Sequence, residues 1–239
     1  LVRRSFAALQ GAEPSAVKLA FGTCEGPYAG NWQDAQGVLW GVLEAEAEFV
    51  YPSSVSPIPA KCRAAARPGA SGLDVAAALL QPRAGCLNLT AHRQQQDSFD
   101  ARGWSYLSCT EIVHPIGCNN LTDFFPPSNW SVASTAKGCR AQWGVEPLGA
   151  GRWVPDTFGF DRLASASRIL FAYGELDPWH VFAVGNSSSA LPVLTIPGGS
   201  HCADMEGSRA EDTAAMKAAR RQEEAILQRW LADLRTVYI

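Results

Sequence analysis

The chain has 239 residues, 47% of them hydrophobic and 18% charged, and a formal net charge of −3. That apolar share supplies a sizeable core for one large domain or two unequal ones. The weak negative charge gives no basic field for nucleic acid and no polybasic membrane signal. No run of about eighteen apolar residues offers a membrane span.

The first residues, Leu1-Val2-Arg3-Arg4-Ser5-Phe6, lack an initiator Met and the apolar stretch of a signal peptide, so the start reads as an interior cut from a longer protein. Residues 1 to about 160 read as helices and loops. Segment 33–49 carries Val38, Leu39, Val42, Leu43 and Phe49 at helical spacing, and Pro52 follows to end it. Segment 72–80 is a second, shorter helix, 52–59 an irregular connector, and 117–131, rich in Asn, Pro and Ser, a loop with short helical turns.

The character changes near residue 165. Arg168–Tyr173 is a short apolar run ended by Gly174, and Leu191–Ile196 a second, ended by Pro197-Gly198-Gly199. Both have the composition of strands buried on two faces. From about 209 to 235 a long helix is expected. Met216, Ala219, Ile226, Leu227, Trp230, Leu231 and Leu234 fall on one side of it, and Ser208 with Glu211 has capping-box spacing. Strand, loop, strand, loop and amphipathic helix make the closing part of a doubly wound α/β sheet.

Seven cysteines are dispersed: Cys24, Cys62, Cys86, Cys109, Cys118, Cys139 and Cys202. None forms a CxxC pair, so no metal site is expected, and no Gly-rich phosphate loop or other cofactor signature is visible. Asn-x-Ser/Thr sequons begin at Asn88, Asn120, Asn129 and Asn186. Together with the cysteines they indicate the secretory pathway, where disulfides persist.

The chemistry concentrates behind the two strands. Asp177 follows the first, in Gly174-Glu175-Leu176-Asp177-Pro178-Trp179, and His201 follows the second, in Gly198-Gly199-Ser200-His201. Adjacent parallel strands would set these loops side by side, so that an ionised Asp177 fixes the tautomer of His201 and His201 serves as general base. The plainer alternative is a turn aspartate before a proline and a histidine that closes a strand. A serine nucleophile needs a Gly-x-Ser-x-Gly elbow, because small residues let the strained strand-to-helix turn form. The glycines followed two places on by Ser are Gly69, Gly103, Gly185 and Gly198, and none completes the motif. Ser200 is rejected as the nucleophile, since the chain order of this chemistry is Ser, acid, His and no histidine lies beyond His201. The nucleophile is therefore expected upstream of Leu1.

Gly103-Trp104-Ser105-Tyr106-Leu107-Ser108-Cys109-Thr110-Glu111, Gln142-Trp143-Gly144-Val145, Gly174–Trp179 and Gly198–His201 together make the chain resemble the lysosomal Pro-Xaa carboxypeptidase and dipeptidyl-peptidase II family of serine peptidases. Phe21-Gly22-Thr23-Cys24 and Tyr51-Pro52 also fit. The resemblance implies an α/β fold. Residues 161–239 would be the C-terminal part of an α/β-hydrolase core, and residues 1–160 most of a helical cap insertion that precedes it. It implies an exopeptidase cleaving next to proline, with Asp177 and His201 catalytic and no cofactor. The partner would be a peptide substrate with proline near one end, and a homodimer is compatible with this.

By the same resemblance Trp179 would line the pocket for the residue before the cleaved bond, and Glu111 with His114 would border it. Asn120 and Asp123 resemble the dipeptidyl-peptidase side, where a carboxylate pairs with a substrate ammonium. Cys24 would pair with Cys86 and Cys109 with Cys139, while Cys62 and Cys118 would pair upstream and Cys202 would be left odd. Three departures from the pattern stand out: Cys202 in place of a second His, His180-Val181-Phe182 in place of a small, glycine-rich stretch, and His114 in place of an apolar residue. The implied location is the lysosome or vacuole, or outside the cell. The alternative is a non-catalytic secreted glycoprotein of the same fold.

Overall fold

A computed structural model describes residues 1–80, 85–185 and 188–237. It has two compact units. One comprises Leu1–Leu43 with Ile58–Asp161, the other Glu44–Pro57 with Arg162–Ile239. Segment 44–57, expected with the helical N-terminal part, thus belongs with the C-terminal unit.

The first unit is helical. Its elements are α1 (Val2–Leu9), α2 (Pro14–Phe21), α3 (Trp32–Glu48, whose last residues count with the second unit), α4 (Ile58–Ala65) and α5 (Gly72–Leu80). They continue with α6 (Leu89–Gln96), α7 (Phe99–Thr110), α8 (Val132–Trp143) and the short α9 (Trp153–Thr157). Local chemistry sets the ends. Pro14 opens α2, and Gly22 closes it in the left-handed region at φ 54°. The Ser71 hydroxyl accepts from the Asp74 amide and the Asp74 carboxylate from the Ser71 amide, a reciprocal cap for α5. Ser131 and Ser134 do the same for α8. Phe6, Leu9, Val17, Leu39, Val75 and Leu79 form the centre of the core, with the Trp40 and Phe125 rings stacked 4.1 Å apart beside it. Disulfides Cys24–Cys86 and Cys109–Cys139 close loops of 62 and 30 residues.

The second unit holds β1 (Phe171–Gly174), β2 (Val193–Ile196) and α10 (Ala214–Val237). The strands run parallel, with Phe171 opposite Val193 and Gly174 opposite Ile196. Three expectations need correction here. The first strand starts at Phe171 rather than Arg168, because Arg168 sits in the left-handed region at φ 59° and donates its amide to the Ala190 carbonyl. Neither strand is buried on both faces. Most of their residues are half-buried and Ile169 is 40% exposed, since the described sheet has two strands.

The long helix starts at Ala214, capped by the Thr213 hydroxyl on the Met216 amide, not by Ser208 with Glu211. The reason is a closed turn before it. The Asp212 carboxylate accepts from the Arg209 amide, and the Asp212 amide donates back to the Arg209 carbonyl. Of the helix's apolar stripe, Met216 and Ala219 are buried with Tyr51, Ile196 and Ala203, whereas Leu227, Leu231 and Leu234 are exposed.

Gly174 ends β1 where the next loop passes. A Cβ there would lie 2.4 Å from the Ser200 carbonyl oxygen and 2.5 Å from that of Gly199. Backbone atoms cannot yield as a side chain can, so Gly174→Ala must push the two loops apart. The expected cost is about 1–3 kcal/mol or more in urea unfolding, with loss of Leu176 and Gly199 amide protection.

Asp212 also makes the second unit acid-sensitive. The Arg209 amide, then the Tyr51 hydroxyl, hold its carboxyl below the usual carboxylate range. The unfolded chain binds the proton more readily, so this contribution is complete above the ordinary aspartate pKa of about 3.9 and lost as pH falls through the lower folded value. The melting temperature of Asp212→Asn should lie below that of the parent at neutral pH, and the gap should narrow on acidification. A gap that widens would contradict this linkage.

Candidate active site

The two loops that leave the carboxyl ends of β1 and β2 are laced together by their backbones. The Glu175 amide donates to the Ile196 carbonyl at 3.0 Å and the Leu176 amide to the Gly199 carbonyl at 2.8 Å. The Glu175 carboxylate accepts the Gly198 amide at 2.8 Å, closing the turn that leads to the histidine. Beyond this ladder, Asp177 caps the helical turn Pro178–Phe182 by taking the Trp179 amide on Oδ1 at 2.8 Å. That bond leaves Oδ2 facing His201, whose Nδ1 lies 2.9 Å away. A carboxylate only accepts, so Nδ1 carries the proton and the contact fixes the imidazole tautomer.

The Asp177 side chain is 9% exposed and that of His201 28% exposed, so the acid is shielded while the base keeps an open edge. Two rings flank the imidazole. Trp179 lies 6.2 Å away, tilted, and Phe49 meets it edge-on at 5.6 Å. Phe49, Glu175 and the residues that hold the turn after His201 were not assigned to the site from the sequence. The Gly-Glu pair at the end of a predicted strand was a signal for Glu175, whereas Phe49 was read only as part of a helical stripe. Ser200 is buried at 5% exposure.

The departures at Cys202 and His180 do not misdirect the pair. His180 stacks on the Tyr173 ring, with the planes 7° apart, and the Tyr173 hydroxyl accepts the Val184 amide at 2.8 Å. Cys202 takes a left-handed backbone, φ 51°, and is an exposed residue outside both disulfides.

In the helical unit the other predicted residues have local roles. Glu111 ends α7, its amide donating to the Leu107 carbonyl. His114 Nδ1 contacts the Ile112 carbonyl oxygen at 2.8 Å, and its ring lies 5.9 Å from that of Trp104. Asp123 organises the 119–125 loop. Its carboxylate accepts the amides of Asn119, Asn120 and Phe125, which hold its pKa below the usual range, the Asn119 amide most strongly. Asn120 has a left-handed backbone and a buried side-chain oxygen.

The strings that carried the resemblance meet by packing. The Ser105 hydroxyl accepts from Trp143 Nε1 at 3.3 Å and from Gln142 Nε2 at 3.2 Å, one turn from the Cys109–Cys139 disulfide. Among the sequons, Asn88 and Asn129 are exposed, Asn120 is half-buried, and Asn186 lies outside the described residues. Among the described residues, no helix is long and apolar enough to cross a membrane.

Comparison with known proteins extends these observations. The chain is 33% identical over 152 residues to lysosomal Pro-X carboxypeptidase of Bos taurus, covering 63% of this chain and 30% of that protein. To the Mus musculus protein of the same name it is 29% identical over 195 residues, 77% of this chain and 39% of that protein. It is 32% identical over 136 residues to thymus-specific serine protease of Homo sapiens, 54% of this chain and 26% of that protein. The chain thus spans about a third of the length of its lysosomal relatives. Residues 79–223, which include α7, α8, Asp177 and His201, match the family described as serine carboxypeptidase S28, whose fold is the α/β-hydrolase. On that match the chain belongs to the serine carboxypeptidase S28 family.

Proposed function

We propose that the chain carries the acid and the base of a serine-type exopeptidase, Asp177 being the carboxylate and His201 the base. The observation that supports this is the 2.9 Å contact from Asp177 Oδ2 to His201 Nδ1, made by loops from the ends of two adjacent parallel strands. With Nδ1 protonated, Nε2 accepts the proton of an attacking hydroxyl, and the carboxylate stabilises the imidazolium that forms. The same proton then goes to the departing amine. The hydroxyl comes from sequence N-terminal to these residues, so the 239-residue chain alone has no peptidase activity.

The substrate class is a peptide with proline near one end, in keeping with the names of the lysosomal relatives. Trp179 forms an apolar wall beside the base, where the residue before the cleaved bond would sit. The helical unit corresponds to most of the family's insertion, and in it Glu111, His114 and Asn120 are assigned to the substrate by resemblance alone. Asp123 is already committed to three backbone amides, so it contributes by shaping its loop rather than by binding an ammonium. The two disulfides and the lysosomal relatives support a place in the secretory pathway, in the lysosome or outside the cell, with glycans at the exposed Asn88 and Asn129.

The test uses the longer protein that contains this chain. It should react with a fluorophosphonate probe, and His201→Ala should abolish the reaction. Asp177→Asn should lower kcat about 10⁴-fold, by leaving the imidazole in the wrong tautomer. Undiminished labelling of His201→Ala would remove His201 from the chemistry. Proline peptides blocked at the N- or the C-terminus then decide between carboxypeptidase and dipeptidyl-peptidase action.

A further inference from the structure

His201 is held from its N-terminal side by the strand ladder and the Glu175 carboxylate. Its C-terminal side is a different problem. Cys202 lies in the left-handed region, a conformation that is strained for a non-glycine residue and persists only where the surroundings enforce it. The short helical turn Ala203–Met205 follows at once. Its carbonyls converge on a single side chain of α10. Arg220 Nη1 donates to the carbonyls of Asp204 at 2.9 Å and Glu206 at 2.6 Å, and Nη2 donates to that of Ala203 at 3.1 Å.

The guanidinium is itself fixed from behind. Nη2 also donates to the Tyr51 hydroxyl at 3.1 Å, and Nε lies 3.8 Å from Asp212 Oδ2, an ion pair too long for a hydrogen bond. Tyr51 is buried. Its hydroxyl donates to Asp212 Oδ1 at 2.6 Å, and the Arg209 guanidinium covers its ring at 3.6 Å. The Asp212 side chain is 1% exposed and that of Arg220 19% exposed, so this is a mostly dry cluster. An arginine fork suits the task, because its five donors are planar and pre-organised, whereas an ammonium is a point charge on a flexible stem.

We propose that Arg220 is a positioning residue for His201. Its guanidinium grips three carbonyls of the turn that follows the histidine, enforces the left-handed backbone at Cys202, and so keeps the imidazole against Asp177. This rests on the assignment of Asp177 and His201 as acid and base, but it concerns a side chain that touches neither of them and no substrate.

The test is made on the 239-residue chain with its disulfides formed, by proton NMR of the His201 Nδ1–H, assigned through its loss in His201→Gln. The hydrogen-bonded proton should appear downfield and exchange slowly in the parent, and Asp177→Asn should remove it. In Arg220→Gln it should exchange at least about tenfold faster, the size expected for losing charge-assisted bonds, while β1–β2 amide protection stays unchanged. Arg220→Lys should recover part of the loss.

Parent-like exchange in Arg220→Gln overturns the proposal. So does a loss that comes only with collapse of the β1–β2 amides, since that is a global role. If Arg220→Gln does not fold, Arg220→Lys decides: exchange between two- and about tenfold faster than the parent, with the strand amides intact, supports the proposal, and parent-like exchange overturns it. A downfield proton that survives Asp177→Asn is a separate failure. It would show that the acid and base are not paired, and the role of Arg220 would fall with that reading.

Discussion

The contact between the Asp177 carboxylate and the His201 imidazole depends on how closely two backbones pass. Gly174 ends its strand with a Cα that a side chain at Gly199 would approach to 2.9 Å, and with no room for a Cβ of its own. At that spacing the loops exchange main-chain hydrogen bonds rather than relying on side chains that swing. Asp177 and His201 therefore leave from one rigid platform. The bond from the Trp179 amide then takes one carboxylate oxygen and turns the other toward the imidazole. Geometry of this kind is set in advance and needs no reorganisation when a proton moves.

The helical unit shows a different use of recognisable sequence. The Trp-Ser-Tyr and Gln-Trp strings are where α7 and α8 lock together, through the Ser105 hydroxyl, the Tyr106–Trp143 edge contact and the Cys109–Cys139 bond. Specific residues are demanded there because an indole N–H half out of water needs a partner and a disulfide tolerates little slack in spacing. Motifs that identify a family are thus not always the ones that carry its chemistry. Asp123 belongs with them. Among the acidic side chains of this unit its carboxylate is tied to three amides of its own loop, which spends most of its accepting capacity on structure.

The departures from the family pattern are absorbed locally. A glycine-rich stretch after Asp-Pro-Trp is not needed where His180 can stack on Tyr173 and the Tyr173 hydroxyl can hold Val184. The cysteine after His201 adopts a strained backbone, and the cluster of Tyr51, Asp212 and Arg220 lies against the turn that follows. That cluster gathers residues from segment 44–57, from the turn before α10 and from α10 itself, so the C-terminal unit is not a simple run of chain.

The sequence by itself determined the parts that are local. The helices expected at 33–49 and 72–80 were legible, the first from apolar spacing and the proline that follows it, and they are observed at Trp32–Glu48 and Gly72–Leu80. The strand-loop order put Asp177 and His201 on neighbouring loops, because each short apolar run ends in glycine just before them. The start of the long helix was not legible, since the turn joining Arg209 to Asp212 is stabilised by Tyr51, 161 residues away from Asp212 in sequence. Nor was the half-exposure of the strands, because periodicity reports what a strand is made of and not what covers it. Which oxygen of Asp177 faces the imidazole, that Phe49 lies beside it and that Arg220 grips the next turn were decided by tertiary structure alone. Each depends on residues far apart in sequence meeting within a few ångströms, and no local pattern encodes such a distance.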